Sequence, residues 1–139
     1  MSGSLNLVYP VMALVLLALA VMFWTGRQRV RAIRKRRVRF QDIALNREAW
    51  PDDVRKVGHN LENQFETPVL FYVLCGAATH IGATGFVMTA LAWIYVILRV
   101  IHAVIHVTVN DMRRAIAFAL SLVILILMWI GVAIRLLGA

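Results

Sequence analysis

Residues 5–24, "LNLVYPVMALVLLALAVMFW", run for twenty positions without a charged side chain. A helix of about 20 apolar residues crosses the ~30 Å hydrocarbon layer of a bilayer. Once such a helix is in place, every other segment must either cross with it or stay at one surface. A secretory signal would carry bases before the run and a small-residue cleavage site after it. Here the bases come afterwards, from Arg27 onward, the pattern of a retained span whose C-terminal end stays in the cytoplasm.

Three further apolar segments follow. The expected spans are about 5–25, 51–83, 86–109 and 115–137. The second is apolar from about residue 65. It is expected to extend a helix that starts near Pro51, where Asp52 and Asp53 suit the positive end of the helix dipole. "HIGATG" (80–85) and "VNDMRR" (109–114) read as tight turns. At 61% hydrophobic residues and a mean hydropathy of +0.76, the 139-residue chain is too apolar for an ordinary soluble fold. The expected fold class is an all-α integral membrane protein, one four-helix domain over residues 1–139. Cys75 is the only cysteine. It admits no intrachain disulfide and reads as a small buried residue.

Charge orients the bundle. Of fifteen Lys and Arg, eleven lie between Arg27 and Lys56, two more are Arg113 and Arg114, and the second loop has none. The positive-inside rule then places the first and third loops in the cytoplasm and both termini outside. Eight bases stand in the fourteen residues of "RQRVRAIRKRRVRF" (27–40). They suit contact with anionic lipid, at about 1 kcal/mol per base near the surface, or attraction of an anionic substrate. No nucleic-acid-recognition motif accompanies them, so no nucleic acid is expected as a partner.

The remaining signal is polar residues at helical spacing. His59, Asn63 and Glu66 stand at i, i+4 and i+7, with Glu62 flanking. Arg99, His102, His106, Asn110 and Arg113 stand at i, i+3, i+7, i+11 and i+14. Charged residues within spans face a bundle interior or a wet cavity. Arg99 and Glu66 lie at comparable depth on sequential helices, which predicts a buried ion pair between them, with Asn63 nearer the cytoplasmic edge. His102 and His106 form an H-x-x-x-H pair, but no third ligand completes a site, so no metal is expected.

These features together resemble the MAPEG family, the membrane-associated proteins in eicosanoid and glutathione metabolism, and among them its bacterial members. The resemblance covers nearly the whole chain. It is carried by four spans, the basic first loop, Asn63-x-x-Glu66 followed by Pro68 and Phe71, and Arg99-x-x-His102. It implies a homotrimer in a bacterial inner membrane, with glutathione as co-substrate at protomer interfaces and a lipophilic small molecule arriving from the bilayer. The binding residues it implies are Arg29, His59, Asn63, Glu66, Arg99, His102 and His106. Arg113 or Arg114 would act as the catalytic arginine that stabilises the thiolate. A thiol is a weak nucleophile until deprotonated, and a neighbouring guanidinium favours the thiolate.

The chain departs from the family pattern at several of these positions. His59 stands where an arginine is expected, Leu61 replaces a polar residue, Glu62 adds a negative charge and His106 replaces a tyrosine. Pro68 also comes early after the glutamate. The expected function is a membrane-bound glutathione-dependent transferase or peroxidase acting on a lipophilic electrophile. The alternative is a non-catalytic scaffold of the same fold, a lipid-binding or interaction subunit.

Overall fold

A computed structural model describes residues 6–138. Among the described residues there is no strand. Six helices follow one another: α1 (Val8–Arg34), α2 (Phe40–Ile43), α3 (Asp52–Asn63), α4 (Thr67–His80), α5 (Phe86–Val107) and α6 (Met112–Leu137), with a 3₁₀ turn at Arg47–Ala49. Three of them, α1, α5 and α6, are long and apolar enough to cross a membrane. Leu16, Phe23, Val73, Ile97, Val104, Val123 and Ile134 are among the many large apolar side chains left exposed along α1, α4, α5 and α6. An apolar exterior of that extent belongs in lipid or against another chain.

The expected continuous helix over 51–83 is two helices. α3 starts as read, with Pro51 at its N-cap and Asp52 and Asp53 in its first turn. It stops at Asn63, and α4 begins at Thr67 with Pro68 in its first turn. Proline has no N–H to return to the Gln64 carbonyl, and its ring disfavours the helical conformation in the residue before it. The helix therefore restarts at the proline. At 1.5 Å per residue, the fourteen residues of α4 reach about 21 Å, short of the ~30 Å hydrocarbon layer.

The break liberates the Asn63 carbonyl, which in an unbroken helix would accept from the Thr67 N–H. It also lets α3, the most amphipathic helix of the chain, lean against α1 and α5. Thr25 donates through Oγ1 to Val57 O at 3.3 Å as well as to Val21 O at 2.8 Å, fixing α1 to α3. Asn60 donates to Ala103 O at 3.3 Å and accepts from Gln64 at 3.3 Å, fixing α3 to α5. Around this polar seam the apolar core fills the other end of the bundle. Leu14, Phe71, Leu74, Ala92, Tyr95 and Met128 are wholly buried there, and the Phe71 and Tyr95 rings stack at 4.6 Å.

Two tight turns set the register of the long helices. α5 ends through Asn110, whose φ of 51° is in the left-handed region that asparagine tolerates better than most residues. Asp111 then caps α6, accepting from the Arg113 N–H at 3.0 Å. The chain reverses within four residues, and the first turn of α6 lies beside the last turn of α5.

At the basic end, Arg37 grips Asp53 with two hydrogen bonds of 2.9 and 2.8 Å. That donation holds the Asp53 carboxyl below its ordinary value, against an opposing push from burial. A depressed carboxyl contributes stability that is complete above its unfolded value, near pH 4. The contribution is lost as pH falls through the lower folded value. Both side chains are largely exposed, so the effect is small. Asp53→Asn is expected to lower the melting temperature slightly at neutral pH and not at all in strong acid. Melting curves in detergent across that range would show it, and an unchanged difference at all pH values would contradict it.

Candidate functional site

The break between α3 and α4 decides what Arg99 meets. Arg99 is 0% exposed. Its Nη2 donates to the liberated Asn63 carbonyl at 2.8 Å. The expected Arg99–Glu66 ion pair is absent: Glu66 lies on the exposed side of the break, and the pair is not among the ion pairs of the described residues. The reason is the turn. An unbroken helix would have carried Glu66 round to the Arg99 face, and the Pro68 restart turns it away. The remaining Arg99 nitrogens, Nε and Nη1, are buried without a partner. The Phe118 ring lies 5.8 Å from Cζ.

Below Arg99 on α5, the two histidines are held by α6. His102 Nδ1 lies 3.1 Å from the Arg114 carbonyl oxygen. A carbonyl only accepts, so that nitrogen carries the proton. His106 Nε2 lies 3.1 Å from Arg114 Nη1. A guanidinium only donates, so that nitrogen is bare. The tautomers follow from these partners. His102 Nε2 is then a free lone pair, and His106 Nδ1 a free N–H. Both are buried and unpartnered. A recess of about 250 Å³ opens here, lined by Asn63, His102, Arg114, Ala115 and Phe118.

The structure separates the two loop arginines. Arg114 reaches this recess. Arg113 points away, its side chain 78% exposed and 3.6 Å from Asp111.

The other expected residues lie around Arg29 and Trp50. Arg29, Glu62 and Glu66 line a larger cleft of about 810 Å³ with Phe40, Trp50 and Phe65. His59 is exposed and lines an adjoining recess with Arg29. Arg29 lies over Trp50, 5.4 Å from the ring centroid, with its Nε buried and unpartnered. Gly58 permits this approach, since a Cβ there would stand 3.3 Å from Arg29 Nη2. The added negative charge of Glu62 is met by Arg47 at 3.1 Å. Within one chain, then, the expected residues line separate recesses. Asn63, His102 and Arg114 line the one beside α6, with Arg99 and His106 buried next to it. Arg29, His59 and Glu66 line the two around Trp50.

Sequence reading missed Asn60 and Gln64, which are more deeply buried than Asn63. Their i, i+4 spacing was a usable signal. It also missed Trp50 and Phe118, which sit against the two arginines and have no signature outside the fold. Among the described residues no three His, Cys, Asp or Glu side chains converge as a metal site would require.

Apolar spanning helices around a buried, partly unsatisfied cationic cluster define an integral membrane protein with a polar site inside its helix bundle. The chain belongs to the MAPEG family, whose model matches residues 7–134, nearly its whole length. No curated protein and no solved structure gives a significant match.

Proposed function

We propose that the protein is a membrane-bound enzyme that activates glutathione for transfer to, or reduction of, a lipophilic electrophile. The observation that carries this reading is the buried cluster of unmatched groups: Arg99 Nε and Nη1, His102 Nε2 and His106 Nδ1. A fully buried guanidinium with one hydrogen bond is costly. Polar residues that serve only to join helices would be matched to each other. Buried, unmatched ionisable groups beside a recess mark functional sites.

The cluster fits glutathione chemically. Arg99 and the His106 N–H are donors suited to a carboxylate, and Asn63 adds an amide at the rim. Arg114 would hold negative charge on a thiol sulfur, and His102 Nε2 is the acceptor available for the thiol proton. Glutathione supplies the nucleophilic sulfur. The chain's residues bind its carboxylates, orient it and take up the proton. Arg29, His59 and Glu66 line separate recesses around Trp50. A homotrimer with its sites between protomers would bring the two sets to one ligand. In this reading the protomer crosses four times, with α4 as a short second span, and the two basic loops lie on the cytoplasmic side of a bacterial inner membrane, as their charge suggests.

Titration with glutathione in detergent, followed by thiolate absorbance in the ultraviolet, tests the reading. A signal that saturates at millimolar glutathione is expected. Its absence, together with no binding by calorimetry, would leave the non-catalytic scaffold.

A further inference from the structure

The basic end of α1 carries a second polar feature, independent of what the α5–α6 site binds. Arg27, Arg31, Arg34 and Lys35 line one recess of about 830 Å³ with Phe23 and Val30, and no acidic side chain enters it. All four bases are exposed, and none has a carboxylate partner among the described residues.

The chain cannot neutralise them itself. It has seven Asp and Glu. Asp42, Glu48, Asp52, Asp53, Glu62 and Asp111 are each within 4.0 Å of an arginine of their own chain, leaving only Glu66. A second copy has the same shortage. The counter-charge must come from a different molecule.

The apolar side of the same helix says which. Leu17, Ala20 and Trp24 lead to Arg27 and Arg31 in steps of three and four residues, so all five share one stripe of α1. The first three line a groove of about 240 Å³ between α1, α3 and α5, closed by Val57, Ala103 and Val104 and almost wholly apolar. Trp24 is half exposed, at the position where aromatic side chains mark the bilayer interface. A groove that admits hydrocarbon ends at an interfacial tryptophan, and two guanidinium groups follow within about 11 Å along the helix.

We infer that this face of α1 binds an anionic phospholipid, with an acyl chain in the α1–α3–α5 groove and the phosphate between Arg27 and Arg31. The groove alone confers no preference, because bulk lipid tails are as apolar as its walls. Selectivity comes from the bases, each worth about a fivefold preference for an anionic headgroup, or about twenty-five-fold for the two.

Native mass spectrometry of the purified full chain in detergent tests this, using dioleoyl phosphatidylglycerol, dioleoyl phosphatidylcholine and soluble glycerophosphate as probes. Phosphatidylglycerol is expected to be retained and the other two lost. The double variant Arg27→Gln/Arg31→Gln is expected to retain it about twenty-five-fold less. A control double variant, Arg36→Gln/Arg135→Gln, removes equal charge away from the groove and should stay within about twofold. Ala20→Leu fills the groove from an exposed position and should weaken retention with all charges intact.

Equal retention of the two phospholipids would overturn the proposal. So would equal loss in the control variant, since diffuse charge would then suffice. Undiminished retention in Ala20→Leu would remove the seated chain, and binding of glycerophosphate as tight as that of the lipid would make the site one for soluble phosphates.

Discussion

Arg99→Met is expected to make the protein more stable and to abolish its binding of glutathione. Arg99 is fully buried, yet its charge meets one backbone carbonyl and an aromatic face. Taking a guanidinium out of water costs several kcal/mol, and one hydrogen bond does not recover that. Methionine fills similar volume without charge and adapts to irregular gaps. The variant leaves the Asn63 carbonyl unmatched, at about 1–3 kcal/mol. Removing an under-compensated buried charge outweighs this, for a net gain of about 1–3 kcal/mol. Thermal unfolding in detergent would register the gain, and calorimetry with glutathione the lost binding. A site residue held at the expense of stability gives both results. If Arg99 were a structural tie between α3 and α5, the methionine variant would melt lower, and that outcome would remove the argument for a site built around it.

The second large effect separates two adjacent arginines. Arg114→Ala should lower turnover by at least an order of magnitude, since the loss of about 1.4 kcal/mol of thiolate stabilisation is tenfold. Arg113→Ala should change turnover by less than about twofold, because its side chain is exposed beside Asp111. Folding should survive in both. The hydrogen bond from His102 goes to the Arg114 backbone carbonyl, which alanine retains, and the Asp111 cap uses the Arg113 backbone N–H. The ultraviolet thiolate signal supplies an independent reading, lost in Arg114→Ala and kept in Arg113→Ala. The opposite pattern would place the wrong arginine in the site. Retention of full turnover and signal in both would take the arginines out of the chemistry.

The exposed side of α3 adds a condition to both experiments. Arg29, with its buried unpartnered Nε, and Glu66 line a different recess from the α5–α6 one. If the site closes only between copies, detergents that dissociate the oligomer should remove glutathione binding while leaving each chain folded. Binding should therefore be measured at a stated oligomeric state.

The spanning helices were legible in the sequence because they rest on local facts. The charge-free run at 5–24 and the apolar runs of α5 and α6 declare themselves by length alone. Pro51, Asp52 and Asp53 marked the start of α3 to within a residue. The histidine stripe on α5 was legible too, since i, i+3 and i+7 define a helix face without any knowledge of its neighbours. Family membership followed from the order of these signals.

The partner of Arg99 was not legible. Periodicity counted across residues 64–66 as though one helix continued, and so brought Glu66 round to face Arg99. The proline instead restarted the helix, turned Glu66 outward and released the Asn63 carbonyl to the guanidinium. The choice between Arg113 and Arg114 was equally closed to sequence, because neighbouring helical residues point about 100° apart. Only the tight turn at Asn110 and Asp111 fixes which of them meets His106. Helix identity and length are set by residues within one turn of each other. The direction of a side chain across a break or a reversal is set by the dihedral angles of two or three residues, and those are decided by what the flanking helices pack against.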